Sequence, residues 1–201
     1  MKIEQLISPL DNRYNNQIVD LATNFSESNL NKVRFEIEIE WLIFLCSKGG
    51  NSFPSIPKTS IKKLHTFKQS FDENSAKRIK SIEKKTNHDV KAVEYFIREE
   101  LKKSLSLKKY EHLVHFALTS EDVNSLSYAI LLRDAQIIYL KKLNLIIKEL
   151  NKRARSWSSI PMLARTHGQA ASPSTLGKEM KVFVERLKRQ RDNLKNLKPL
   201  A

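Results

Sequence analysis

The chain has 201 residues, enough for one sizeable domain or two small ones, and its 40% hydrophobic and 8% aromatic content is ordinary for a globular protein. No apolar run reaches the ~18 residues a membrane span needs, and polar residues interrupt the start before a secretory signal's apolar core can form, so a soluble cytoplasmic protein is expected. The net charge of +14 would suit nucleic acid or an anionic membrane surface. However, the lysine pairs at 62–63, 84–85, 102–103, 108–109 and 141–142 are scattered over several segments. A milder reading is that the charge attracts an anionic small substrate.

Cys46 is the only cysteine, so no intrachain disulfide can form. It follows the apolar run 41–45 and reads as a buried small hydrophobe. No Cys/His cluster has zinc-ligand spacing, and no metal is expected.

Between Pro57 and Pro161 there is no proline, and between Gly50 and Gly168 no glycine. Without these breakers, long helices are expected. A first helix is predicted from about Asn31 to Ser47, stopped by Gly49-Gly50, with Leu30, Val33, Ile37, Trp41 and Phe44 on one face. The piece 35–41 also alternates like a half-buried strand; length and the closing glycines favour helix. A second helix carries Ile61, Leu64, Phe67 and Phe71, and a third, around Ser75 to Lys85, carries Ile79 and Ile82. A fourth opens at Asp89 as N-cap and buries Val90, Val93, Ile97 and Leu101.

Residues 105–115 read as a connection with a short helix. Thr119-Ser120-Glu121-Asp122 matches a capping box, and apolar spacing from Val123 to Leu150 continues a helix to about Trp157. At ~1.5 Å per residue that helix is roughly 50 Å long, which points to an extended bundle. Ile160-Pro161 ends it. A loop through Arg165-Thr166-His167-Gly168-Gln169 is expected next. Ser172-Pro173 then starts a last helix with stripe Leu176, Met180, Val184, Leu187 and Leu194. A stripe so near the terminus implies a further surface for it to pack on.

Three polar clusters lie at helix starts or in loops: Thr86-Asn87-His88-Asp89, His115 to Asp122, and Arg165 to Gln169. A helix N-terminus favours anions, and Thr119 and Ser120 add hydroxyl donors, although plain capping explains Thr119 and Asp122 equally well. His88 and His167 sit in polar, loop-like settings where imidazole exchanges protons near neutral pH. Gly168 allows close backbone approach to a ligand.

Four phrases together carry a resemblance: Ser8-Pro9-Leu10-Asp11-Asn12-Arg13-Tyr14, Lys85 to Phe96, Val114 to Asn124, and Ala164 to Gln169. In this order they resemble adenylosuccinate lyases of the fumarase/aspartase superfamily, in the form common among gamma-proteobacteria. The resemblance implies an all-α fold: a small helical N-terminal domain, residues 1–110, then the first long helices of a central fumarase/aspartase-type bundle, residues 111–201. It implies a homotetramer whose active sites combine segments from three subunits. It also implies a cofactor-free β-elimination that releases fumarate from adenylosuccinate, leaving AMP, and from the succinylcarboxamide ribotide of purine biosynthesis.

Residue by residue, His167 matches the general acid toward the leaving nitrogen, and His88 a second active-site histidine that positions or polarises substrate. Arg13 and Tyr14 match phosphate-holding residues. Asn87 and Asp89 flank His88 in the binding element, and Thr119 and Ser120 match donors to the succinyl carboxylate. Gln169 and Lys91 are second contacts. Ala170-Ala171-Ser172 stands where Pro-Ala-Thr is usual. The family's serine-bearing loop, Ser-Ser-x-Met-Pro-x-Lys-x-Asn, is not in these residues. The chain is therefore expected to be inactive alone, and to be one half of a split enzyme, a decaying-gene remnant or a piece of a longer record. A competing reading is a non-catalytic basic helical protein that binds nucleic acid or acts as a scaffold or regulator.

Overall fold

A computed structural model describes residues 8–199. The opening residues 1–7, part of the start read above for a signal, lie outside the described residues. The chain divides into two compact units, up to Leu132 and from Arg133 to Pro199.

The first unit is helical. Two 3-10 turns, Pro9–Asp11 and Asn15–Gln17, lead into α1 (Val19–Phe25). α2 (Glu27–Lys48) starts earlier than its apolar pattern, because the Ser26 side chain accepts from the Asn29 N–H and caps it. α3 (Lys58–Gln69), α4 (Glu73–Thr86) and α5 (Asp89–Lys102) follow, then a 3-10 stretch, Lys108–Leu113. Asp72 opens α4 with a reciprocal box to Ser75. The expected helix over 35–41 is confirmed, but its buried face differs from the predicted stripe. Phe35, Ile39, Leu42 and Cys46 enter the core, whereas Phe44 is 52% exposed. Apolar residues occupy several sides of this helix, so periodicity alone did not single out the face.

These four α2 residues pack with Leu64, Ile79, Val93, Phe96, Ile97 and Leu101 into one core. Phe35 sits at its centre, edge-on to Phe67 at 4.9 Å and tilted against Phe71 and Phe96. Tyr110 is fully buried and donates its hydroxyl to the Ser55 carbonyl at 2.9 Å, which meets the requirement that a buried phenol be partnered.

The long helix α6 (Ser120–Ser156) has 37 residues, matching the predicted span, and the division between the units falls inside it. In the second unit a two-stranded antiparallel hairpin follows, β1 (Pro161–Thr166) and β2 (Gln169–Thr175), and then α7 (Leu176–Asn196). The hairpin corrects the expected loop and the expected helix start at Ser172-Pro173, since α7 begins only at Leu176. Ser172-Pro173 belongs to β2, and Thr175 caps α7 by accepting from the Lys178 N–H at 3.2 Å. Most hairpin side chains are exposed, so no alternation of apolar and polar residues announced it. Val184 and Ile147 are buried in this unit, and Gly177 presses so closely on α6 that an added Cβ would lie 2.3 Å from the Ala154 carbonyl oxygen. Among the described residues the regular structure is helical apart from this hairpin.

Candidate active-site elements

The first cluster is the corner between α4 and α5. Asn87 ends α4 in the left-handed region, φ 50°, with its N–H on the Glu83 carbonyl at 2.8 Å. Asparagine tolerates that conformation better than most residues. His88 then becomes the N-cap of α5, correcting the prediction of Asp89: its Nδ1 accepts from the Lys91 N–H at 3.2 Å. Committing the Nδ1 lone pair to the backbone leaves the proton of the neutral ring on Nε2. His88 therefore keeps an N–H donor at Nε2, on a side chain that is 49% exposed. Lys91 is drawn to the buried Glu94, 2.7 Å from Oε2, and lies over the Tyr95 ring.

Asp89 holds one oxygen, Oδ2, 2.7 Å from Arg34 Nη2, and Oδ1 lies 3.8 Å from His88 Nδ1. Partial burial pushes its carboxyl up. The Val90 N–H and the charge and hydrogen bond of Arg34 outweigh that, leaving it below the usual carboxylate range.

The second cluster is the approach to α6. Thr119 and Asp122 form the predicted box: the Asp122 carboxylate accepts from the Thr119 N–H at 2.7 Å and from its hydroxyl at 2.9 Å, and Thr119 Oγ1 accepts from the Asp122 N–H at 3.4 Å. These bonds from Thr119, the backbone one foremost, hold the Asp122 carboxyl below its ordinary range. A ligand carboxylate would have to draw the Thr119 hydroxyl from Asp122, whereas the Ser120 hydroxyl stands outside the box.

Before this start the chain makes an unusual turn. His115 (φ 65°) and Ala117 (φ 58°) are both left-handed without being glycine, at a cost of order 1–3 kcal/mol each that the surroundings must offset. His115 Nδ1 lies 2.5 Å from Oε1 of the fully buried Glu38, and the Trp41 indole donates to the Phe116 carbonyl at 2.8 Å. The hydrogen bond to Glu38 raises the His115 pKa above its ordinary value; burial opposes this, and the charges of Glu38 and Glu94 reinforce it.

Arg34 joins the two clusters. Its side chain is 4% exposed, and besides Asp89 it donates from Nε to Asn124 Oδ1 at 3.0 Å and from Nη1 to Asn31 Oδ1 at 3.4 Å. Asn124 lies one turn into α6, so one guanidinium ties the His88 corner to the Thr119–Ser120 helix start. Arg34, Glu38 and Asn124 were not foreseen as site residues, and His115 was noted only as the first member of a polar cluster. The spacing of four between Arg34 and Glu38 on α2 is shared by other charged pairs on that helix, such as Lys32 and Glu36, and so did not single them out.

Arg13 and Tyr14 sit between the two 3-10 turns, exposed, with the guanidinium 5.3 Å from the phenol ring centre. In the second unit, His167 and Gly168 are the two turn residues of the hairpin, at φ 49° and 78°. Two left-handed central residues make the type I′ turn favoured between twisted strands. The imidazole is thereby presented at the tip. Gln169 pairs opposite Thr166, and Ala170 opposite Arg165, in the ladder. Among the described residues no three His, Cys, Asp or Glu side chains are gathered so as to hold a metal ion, and no helix is long and apolar enough to cross a membrane.

The chain belongs to the lyase family, whose model matches residues 12–201. Its relatives are more particular. It is 43% identical to the adenylosuccinate lyase of Haemophilus influenzae over 197 residues, 97% of this chain and 43% of that protein. It is 41% identical over 200 residues to that of Escherichia coli strain K12, and 42% over 199 residues to that of Dictyostelium discoideum. The chain thus spans less than half the length of these curated relatives. Among solved structures it resembles a fumarate lyase from Mesorhizobium sp. BNC1, with TM-score 0.71 at 18% identity over 87% of this chain and 38% of that one. A 3-carboxy-cis,cis-muconate lactonizing enzyme from Pseudomonas putida gives TM-score 0.69 at 19% identity, again over 87% of this chain and 38% of the other. These two likenesses concern the fold.

Proposed function

We propose that these residues supply the acid and substrate-binding part of a C–N lyase that splits adenylosuccinate into fumarate and AMP, and the succinylcarboxamide ribotide of purine synthesis in the same way. The observation that carries the reading is the Arg34 bridge: it couples an N–H donor on His88 with the Thr119–Ser120 hydroxyls, a pairing suited to a substrate with a carboxylate on one side and a polar base on the other.

In this reaction a base removes the proton beside a carboxylate, the C–N bond breaks as the fumarate double bond forms, and the departing nitrogen takes a proton. His167 delivers that proton. Its place at the tip of a hairpin suits a group that must reach a substrate held by other segments. Thr119 and Ser120 receive the succinyl carboxylate as negative charge grows there, where donors help most. His88 orients the substrate through Nε2–H, flanked by Asn87 and Asp89. Arg13 and Tyr14 take the phosphate, and Gln169 and Lys91 are secondary contacts. The base is a serine outside these residues, and the working enzyme is a homotetramer, or an assembly with a complementary C-terminal half. A boundary near residue 111 between an N-terminal domain and the bundle belongs to the same proposal.

The competing reading is a non-catalytic basic helical protein that binds nucleic acid, for which the net charge of +14 is the motive. The two readings separate in one experiment. The chain should retain adenylosuccinate at physiological salt and release DNA there without turning the nucleotide over. Steeply salt-dependent DNA binding with no adenylosuccinate binding would reject the lyase reading.

A further inference from the structure

We infer that one face of α2, formed by Arg34, Glu38 and Trp41, is a positioning rail that sets the His88 corner and the Thr119–Ser120 helix start in register. The inference rests on the proposed lyase reading for what those groups bind, but not for the contacts themselves. Residues four and then three apart lie on one side of a helix, and this side is about 100° round α2 from the stripe Phe35, Ile39, Leu42 and Cys46 that enters the core. Packing and positioning thus use different faces of the same helix.

The rail's partners are unusually focused. Arg34 takes Asp89, beside His88, and Asn124, one turn past Ser120. Glu38 takes His115, and Trp41 takes the Phe116 carbonyl. Apart from Asn31 and Phe44, both on α2 itself, these contacts fall at residue 89 and within 115–124. A buried ion pair is a poor way to gain stability, because well-packed apolar residues of similar volume often do as well or better. Directional groups become useful where two separate segments must meet at a fixed distance and angle. Arg34, with several donors in a planar fork, meets a carboxylate and an amide at once, which a lysine ammonium on its flexible stem does poorly. Glu38 and Trp41 restrain the left-handed turn at His115 and Ala117, the last stretch of chain before Thr119. None of the three needs to touch substrate; each acts through a residue that is proposed to.

The test uses the 15N-labelled 201-residue chain and three variants, Arg34→Met, Arg34→Lys and Asn124→Ala, read by the His88 ring nitrogens and the Ser120 amide. Wild-type His88 should show an unprotonated, hydrogen-bonded Nδ1. In Arg34→Met the ring should drift toward the mixed tautomers of a free imidazole and the Ser120 amide should shift. In Asn124→Ala the Ser120 amide should shift while the His88 ring, still beside the Arg34–Asp89 pair, keeps its wild-type signature, with helicity by circular dichroism unchanged in both. Arg34→Lys, which retains the charge beside Asp89, should restore part of the His88 signature and none of the Ser120 one. A variant that merely lowered stability would leave the signals of its folded fraction at their wild-type positions. If Arg34→Met does not fold, Asn124→Ala, which cuts only the bridge to α6, decides alone. Wild-type His88 and Ser120 signals in every folded variant would overturn the inference. Failure of the lyase reading looks different: adenylosuccinate at millimolar concentration would leave the Asn87, His88 and Ser120 amides of the wild-type chain unmoved, while the variants would still separate.

Discussion

Replacing Glu38 by glutamine should destabilise the chain in a pH-dependent way. The carboxylate is fully buried and His115, 2.5 Å away, is 16% exposed, so water screens the pair poorly. Removing one partner of a buried pair costs about 3–5 kcal/mol. Glutamine keeps an oxygen that accepts from imidazole, so only the charged part of the hydrogen bond is lost, and about 2–3 kcal/mol is expected. That is a large share of a typical stability of roughly 5–15 kcal/mol, and at ~1–3 kcal/mol per molar urea it moves the unfolding midpoint by about 1 M.

The direction with pH follows from His115. Its folded-state pKa is raised, so the pair's contribution is fully present below the unfolded value near 6.5 and is lost as pH rises through the folded value. The gap between wild type and Glu38→Gln should be widest near pH 6 and narrow in the alkaline range. Asp72, Asp89, Asp122 and Glu185 all have lowered values, so their contributions vanish only in acid and leave this window clear. Urea titrations of both chains at pH 6 and pH 9 would measure the effect. An equal gap at the two pH values would refute a protonated His115 as the partner of Glu38.

Thr119→Ala removes an N-cap and should cost about 1 kcal/mol, seen as faster amide exchange over the first turn of α6 with little change in the α2–α5 core. Gly177→Ala must displace backbone, since the new Cβ would approach the Ala154 oxygen to 2.3 Å and the Ser158 nitrogen to 2.6 Å. Overpacking of this kind costs about 1–3 kcal/mol, and a thermal melt of the variant should show it.

Helices α2 to α5 were legible because proline and glycine are absent where apolar residues recur at helical spacing, and the start of α6 because a cap such as the Thr119–Asp122 box is local in sequence, whereas the short α1, Val19–Phe25, was not foreseen. Three things were less legible. The buried face of α2 was misjudged because Phe35-Glu36-Ile37-Glu38-Ile39 places charges between apolar residues, and a charge paired across 77 residues, as Glu38 is with His115, leaves no local trace. The N-cap of α5 was assigned to Asp89 by propensity, but the aspartate is held by Arg34 and the imidazole of His88 does the capping. The hairpin was read as a loop and a helix start because Ser-Pro is an ordinary way to open a helix and its strands, exposed on both faces, lack a period of two. Its one local sign was a glycine directly after His167. The candidate site followed the same division: the cap and turn residues that would meet substrate are consecutive in sequence, while the residues that hold them in place are brought together only by folding.

The proposed role of His167 as the acid toward the leaving nitrogen can be tested by complementation. Its most direct measurement is the ultraviolet absorbance of adenylosuccinate mixed with this chain and a polypeptide carrying the remaining, serine-bearing part of a related adenylosuccinate lyase. Neither component alone should consume substrate, the mixture should, and His167→Ala should lower the recovered rate by about 10²–10⁴-fold, the usual contribution of general acid catalysis. Undiminished turnover by the His167→Ala mixture would contradict the account.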